Sequence, residues 1–295
     1  MDELIYRSAR LFASLACRLS PETAEKIGRL IGDLAWRVIP KRRKLLAHKN
    51  ISRCLGADDA EAERIARASV VRFGPMLMEV MRFAWLKDHV REYVVYEGLE
   101  HLQKAVAEGK GGIIATCHSG NWELMGGALA QAGIPIVGVA MKQKSGGSDR
   151  FINEQRRLIG MHITYKTDVR EMYDMLAKGY FIGLIMDQDT NVHDGIILDF
   201  FGQPTNCVPG AASMARFKKA QIFPAFMRRL ADGRHCLSVG APLEQQRTKD
   251  KRADIKHNTQ TINKLIEEHI RRYPEEWFWL HDRWKSVREE LHLIE

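Results

Sequence analysis

His118 is followed five positions later by Glu123, in the segment His118-Ser119-Gly120-Asn121-Trp122-Glu123. An imidazole near neutral pH can take the proton from a hydroxyl, and a carboxylate beside it can hold the ring's tautomer and stabilise the imidazolium that forms. That pairing suits acyl transfer from a thioester to an alcohol, because an alcohol is a poor nucleophile until a base removes its proton. As a bare pattern the pair says little. With 11 histidines and 37 acidic residues in 295 positions, composition alone yields about 1.4 such spacings, and the chain contains one. A structural histidine in a turn, beside a solvated glutamate, is the competing reading.

The elements around the pair are more specific. The apolar run Gly112-Ile113-Ile114-Ala115-Thr116 predicts a strand that ends in Cys117 and His118, Ser119-Gly120-Asn121 reads as a turn, and a helical pattern begins at Trp122. On one continuous helix, residues five apart lie about 140° apart and do not meet; across a strand-to-helix turn they can. Ser119 or Asn121 suits the N-cap, Gly120 lets a substrate approach the backbone, and the helix start offers N–H donors to a phosphate or a developing oxyanion. Cys117 is not expected as a nucleophile, since adjacent residues leaving a strand point opposite ways. The chain has no G-x-S-x-G elbow, no phosphate-binding G-x-x-x-x-G-K-[ST] loop, no G-x-G-x-x-G fingerprint and no H-E-x-x-H helix, so neither a metal nor another cofactor is expected.

The wider pattern divides in two. Residues 1–90 read as helices, with Leu4, Leu11, Leu15 and Leu19 at helical spacing, then Ile27, Leu30, Ile31, Leu34 and Val38 after a Ser20-Pro21-Glu22 start, and one long helix over roughly 60–86. Residues 91–295 alternate short β-branched runs (93–96, 112–116, 134–141, 162–165, 181–186, 196–200, 222–227, 236–239) with helices at 98–108, 122–132, 150–159 and 170–178, and return to helix at about 250–290. This predicts an α/β fold, a mostly parallel mixed sheet flanked by helices, behind an N-terminal helical region.

A net charge of +8, from 45 basic and 37 acidic side chains, favours an acidic partner. The five cysteines are scattered with no C-x-x-C pair, which predicts no disulfide framework and a reducing compartment. The uncharged run Leu124–Met141 reaches 18 residues, but Gly126, Gly127, Gln131, Gly133 and Pro135 divide it into helix, turn and strand, so no spanning helix is expected. The cluster Lys41-Arg42-Arg43-Lys44 would add roughly 4 kcal/mol of attraction to an anionic leaflet if all four side chains faced it, given an apolar face from Leu11, Phe12, Leu15, Leu45 and Leu46.

The segment from His118 to Glu123 resembles the H-x-x-N-W-E form of the signature of bacterial lipid A biosynthesis (late) acyltransferases, within the wider lysophospholipid acyltransferase superfamily. Further blocks follow in that family's order: Arg156 to Gly160 (R-x-x-x-G), Asp187-Gln188, Phe200-Phe201-Gly202-Gln203-Pro204, Pro224 to Arg228 (P-x-x-x-R), and Trp277-Phe278-Trp279-Leu280-His281-Asp282-Arg283-Trp284-Lys285. The resemblance implies a glycerolipid-acyltransferase-like sheet, an acyl carrier protein or acyl-CoA donor, and a phosphorylated glycolipid acceptor such as a lipid A precursor. It further implies His118 and Glu123 as the catalytic pair. Asn121, Arg156, Asp187, Gln188 and Arg228 are implied as substrate-binding residues, with Arg156 on a phosphate and Asp187 orienting the hydroxyl. Asp187 would share the sheet edge of His118 if their strands are parallel.

Relatives often open with a hydrophobic membrane helix. Here Arg7, Arg10 and Arg18 interrupt the first segment, which implies peripheral or monotopic attachment to the cytoplasmic face of the inner membrane. The absence of an F-P-E-G block favours a glycolipid acceptor over glycerol phosphate, with a lysophospholipid or a mannosylated lipid as alternatives. A noncatalytic lipid- or nucleic-acid-binding protein on the same scaffold is the reading from another class. The tryptophans gather at the C-terminal end instead of interleaving with basic residues, so no nucleic-acid partner is expected.

Overall fold

The computed structural model describes residues 1–294. The N-terminal third is helical: α1 (Asp2–Ala16), α2 (Pro21–Val38), α3 (Lys41–Leu55), α4 (Asp59–Val71), α5 (Phe73–Met81) and the short α6 (Phe83–Leu86) and α7 (Val90–Tyr93). Ser20 caps α2 by accepting from Thr23 N, with Pro21 in the first helical position. The single helix expected over 60–86 is broken at Arg72 and again at Arg82, the first break lying three residues before Pro75, which brings no N–H donor and crowds the preceding turn.

Helix α2 turns a different face inward from the one its largest apolar residues suggest. Its buried residues are Ala24, Gly28, Gly32 and Trp36, while Leu30, Leu34 and Val38 stay exposed. Close backbone approach explains this: a Cβ on Gly28 would lie 2.6 Å from Pro75 Cα, and one on Gly32 would lie 2.1 Å from the Val71 carbonyl oxygen. The glycine face seats α2 against the α4–α5 junction, and the leucine stripe is left in solvent.

The α/β part continues with β1 (Val94–Glu97), α8 (Glu100–Ala107), β2 (Gly112–Thr116), α9 (Trp122–Gln131), β3 (Ile136–Ala140), α10 (Gly146–Leu158), β4 (His162–Tyr165), α11 (Val169–Ala177) and β5 (Phe181–Ile185). There follow a hairpin of β6 (Ile196–Phe200) and β7 (Gln203–Cys207), then α12 (Gly210–Lys218), β8 (Gln221–Arg229), β9 (His235–Val239), α13 (Lys251–Arg272), a 3₁₀ turn (Pro274–Glu276) and α14 (Lys285–Glu289). Seven strands form one sheet in the order β1-β9-β8-β2-β5-β3-β4, parallel at every pairing except β8 with β9. The expected α/β class and mostly parallel sheet are therefore present.

Alternation along the strands supplies both faces of the core. Ile113, Ile182 and Ile222 pack with Trp36, Ile51, Ile65, Ile266, Trp277 and Trp284, while Ile114, Phe181 and Phe223 pack with Phe83, Leu102, Leu124 and Leu129. The N-terminal helices thus share their core with the sheet and with the tail. No helix is long and apolar enough to cross a membrane among the described residues, and Leu124–Met141 is the end of α9, a turn and β3. Two elements were not expected: β7, whose Pro204 reads as a turn signal, and α12. The tail from Trp277 to Trp284 is not helical despite its helical spacing, although Trp277, Trp279 and Trp284 are all buried.

Candidate active site

Strands β2 and β5 are adjacent and parallel, with Thr116 opposite Ile185. Two residues further along each chain stand His118 and Asp187, so the register itself brings them level at the carboxyl edge of the sheet. His118 Nδ1 lies 2.9 Å from Asp187 Oδ1, and the His118 backbone N–H donates to Oδ2 at 3.1 Å. The Trp277 indole N–H donates to the same Oδ2 at 2.6 Å. A carboxylate on Nδ1 keeps the proton there and leaves Nε2 as the basic nitrogen. Trp122 stands edge-on to the imidazole at 4.8 Å, and Phe73 packs between Trp122 and Phe278.

The partner expected for His118 is corrected by this geometry. Glu123 does not hold the imidazole. It is the second residue of α9 and faces α10, where Arg156 grips it with Nε–Oε2 at 2.7 Å and Nη2–Oε1 at 2.6 Å. Arg156 also donates to Asn153 at 3.0 Å, so its guanidinium is engaged within the protein instead of standing free for a phosphate. Arg228 is not brought to His118: it reaches Glu97 at 3.6 Å and lies over Tyr273. Gln188 follows Asp187 and is half-buried. Asp189 anchors the tail by accepting from Ser286 N and Oγ at 2.8 and 2.6 Å.

Every residue of the turn from His118 to Asn121 is tied down by distant parts of the chain. Arg72 donates to the carbonyls of Gly120 at 2.8 Å and His118 at 3.4 Å. Ser119 Oγ lies 2.7 Å from His269 Nε2, and Gly120 N donates to the Glu276 carbonyl. Asn121, not Ser119, is the N-cap: its Oδ1 accepts from Leu124 N at 2.9 Å, and its Nδ2 donates to Glu79 at 2.7 Å. Gly120 has φ +59, and a Cβ there would sit 2.2 Å from the Met227 carbonyl oxygen, so only glycine fits. Among the described residues the N–H groups of Trp122 and Glu123, at the start of α9, carry no hydrogen bond, whereas the Gly120 N–H is occupied by the Glu276 carbonyl. Arg72, Glu79 and His269 were not anticipated. The available signal was the charge of Arg72 and Glu79 within an otherwise apolar helical run.

A narrow cavity of about 60 Å³ lies between α9 and the sheet, walled by Ile114, Leu129, Ile136, Met161 and Ile163, with Glu123 and Arg156 reaching it. Glycines keep it open: a Cβ on Gly126 or Gly138 would meet Met161 Cε at 2.3 or 2.8 Å. A larger cleft of about 850 Å³ between α2 and α4 carries charges of both signs and meets the turn's anchors at Arg72 and Glu276.

Burial works to raise the Asp187 carboxyl, but the His118 ring, the Trp277 indole and the His118 N–H outweigh it and hold it at about 2. Glu79 is likewise held at about 2, burial being overcome by His235, Arg229 and Asn121. Both lie below their ordinary values of 3.8 and 4.5, so the stability they contribute is complete above those values and is lost as pH falls towards 2. The free energy of urea unfolding is expected to fall between pH 5 and pH 2 as both carboxylates are protonated. The Asp187→Asn protein should lose less across that range, and equal slopes for the two proteins would contradict the assignment.

The sequence model of the bacterial lipid A biosynthesis acyltransferase family matches residues 5–286. Among individual proteins, the phosphatidylinositol mannoside acyltransferase of Mycolicibacterium smegmatis is 28% identical over 244 residues, covering 80% of this chain and 78% of that one. The lipid A biosynthesis lauroyltransferase of Escherichia coli is 27% identical over 269 residues (88% and 85%), and its palmitoleoyltransferase 25% identical over 264 residues (88% and 84%). Among solved structures, the 1-acyl-sn-glycerophosphate acyltransferase PlsC from Thermotoga maritima superposes with a TM-score of 0.39 at 11% identity, over 85% of this chain and 99% of that one.

Proposed function

This chain belongs to the bacterial lipid A biosynthesis acyltransferase family, and from that premise we propose that it moves a fatty acyl group from a thioester donor, acyl carrier protein or acyl-CoA, to a hydroxyl of a phosphorylated glycolipid at the cytoplasmic face of the inner membrane. The observation that carries the reading is the His118 imidazole, fixed by Asp187 through Nδ1 with Nε2 left as base, against the Trp122 ring, which in turn lines an apolar cavity. In the step proposed, Nε2 takes the acceptor hydroxyl's proton as the oxygen attacks the thioester carbonyl. The new C–O bond replaces the C–S bond, and the proton passes from the imidazolium to the departing thiolate. Asp187 stays ionised throughout and stabilises the imidazolium. The unpartnered N–H groups of Trp122 and Glu123 are the donors for the oxyanion. The cavity walls are apolar, but about 60 Å³ has room for only a short stretch of an acyl chain, so most of the chain would lie outside it, and the Glu123–Arg156 pair is part of its lining.

The relatives' names include both lipid A and mannoside acceptors, so the reading commits to a membrane glycolipid, with a lipid A precursor as first choice and a mannosylated lipid second. A lysophospholipid acceptor has less support, because the sequence contains no F-P-E-G block.

Residues 1–90 are the membrane-associating part of this proposal. Leu4, Leu11 and Leu15 on α1, Leu30, Leu34 and Val38 on α2 and Leu45 on α3 are exposed, and Lys41 and Arg42 stand exposed beside them. The basic cluster contributes less than its four charges suggest, because Lys44 lies over the Trp36 ring and Arg43 donates to the Leu280 carbonyl.

Labelled acyl carrier protein and labelled acyl-CoA, each offered with anionic vesicles holding a lipid A precursor, test the function. Transfer of label to the precursor is expected from at least one donor, and a deletion strain should accumulate a glycolipid short by one acyl group. In the same assay Leu30→Glu/Leu34→Glu should bind vesicles at least tenfold more weakly, since each leucine buried in lipid is worth about 1.5–3 kcal/mol, while keeping its turnover on detergent-dispersed acceptor. No transfer from either donor would end the proposal, and unchanged vesicle binding would end its membrane part.

A further inference from the structure

Glu79 is a carboxylate buried in an otherwise apolar helix: it is 8% exposed on α5, among Met76, Met78 and Val80. Its Oε1 faces His235 Nε2 at 3.0 Å and also meets Arg229, whose other amine nitrogen binds Glu25 of α2. Its Oε2 accepts from Asn121 Nδ2 at 2.7 Å. Burying such a cluster brings no stability that a well-packed apolar set of the same volume would not match, so its presence points to a task.

The task follows from the chemistry of the amide. An ionised carboxylate only accepts hydrogen bonds, so Asn121 must turn its NH₂ towards Glu79 and its carbonyl oxygen towards Leu124 N, the arrangement that caps α9. With a neutral amide at position 79 both orientations of Asn121 find a partner there, and the flipped one sets NH₂ against the Leu124 N–H. Glu79 touches neither the imidazole nor the cavity. Whatever it does for the reaction passes through Asn121 to the first turn of α9, which carries Trp122 against His118 and the unpartnered N–H groups of Trp122 and Glu123.

We propose that Glu79, held by Arg229 and His235, is a positioning residue for acyl transfer that sets the orientation of the Asn121 amide and with it the start of α9 beside His118. This rests on the assignment of His118 as base. The test uses the full chain in the vesicle assay with Glu79→Gln, Asn121→Ala and the double variant. Each single change is expected to lower kcat by about 10- to 100-fold with KM and vesicle binding nearly unchanged, and the double variant should be no worse than the poorer single, since both remove one contact. Hydrogen exchange supplies a readout independent of turnover: amides in the first turn of α9 should exchange at least tenfold faster in Glu79→Gln, with β2 unaffected.

Should Glu79→Gln fail to fold, Asn121→Ser breaks the same contact while keeping a capping oxygen and leaving the charge cluster whole, and it should show the same fall in kcat. A folded Glu79→Gln with wild-type kcat and exchange, or additive losses in the double variant, overturns the inference while leaving the function intact. Wild-type protein that transfers no acyl group while the exchange effect persists overturns the function instead, and with it the link from Glu79 to chemistry.

Discussion

Replacing His118 with alanine is expected to lower kcat for acyl transfer by about 10³- to 10⁴-fold while the protein remains folded and still binds vesicles. The magnitude is that of general-base assistance at the upper end of its usual range, because the imidazole is oriented before substrate arrives. Asp187 holds it through two hydrogen bonds, one to Nδ1 and one to the His118 backbone N–H, and Trp122 closes one side of the ring. The residual rate comes from donor and acceptor being held together and from the N–H groups at the start of α9. A His118→Ala protein within tenfold of wild type, measured with labelled donor at saturating acceptor, would remove the base from the mechanism.

Asp187→Asn is expected to cost nearly as much, about 10³-fold in kcat, and the reason lies in its neighbours. One carboxylate oxygen accepts from both the His118 N–H and the Trp277 indole, so the asparagine must place its carbonyl oxygen there. Its NH₂ is then forced to face His118 Nδ1, which must accept. The ring's proton moves to Nε2, and the base is lost without any change of shape. Raising the pH should not restore activity, because the tautomer and not the charge is wrong.

Glu123→Gln makes the contrast. It leaves His118 and Asp187 as they are but takes the anion from a partly buried Arg156, so loss of thermal stability should exceed loss of turnover, with kcat falling less than in Asp187→Asn. The opposite order, Glu123→Gln the slower enzyme and Asp187→Asn close to wild type, would return Glu123 to the place first expected for it.

The difference between those two carboxylates marks the limit of what could be read from the chain alone. Strand β2, its turn and α9 follow from local residue types, and Asp187 could be set on the same edge by assuming parallel strands. Which carboxylate meets the imidazole depends on the register between β2 and β5, and no local pattern encodes that. Proximity in sequence favoured Glu123, five residues from His118, over a residue 69 positions away that lies directly opposite. Strand β7 escaped for the converse reason: a hairpin partner outweighs the turn signal of Pro204. The inward face of α2 could not be read from its large apolar residues, because Gly28 and Gly32 decide how closely the helices approach. The buried contacts of Glu79, Arg72 and His269 with the turn join residues 42 to 150 positions apart; the charges of Arg72 and Glu79 stand out in an apolar run, but nothing short-range says what they meet.

Those long-range anchors have a bearing on how the protein comes into being. The turn that carries His118 is gripped by Arg72 and Glu79 from the first third of the chain and by His269, Glu276 and Trp277 from its last 30 residues. A nascent chain still on the ribosome can complete all seven strands of the sheet by Val239, yet Asp187 has no indole donor and Gly120 no carbonyl to bind until Trp277 has been released from the exit tunnel. The reactive geometry of the turn is thus completed only after the whole sheet has been synthesised.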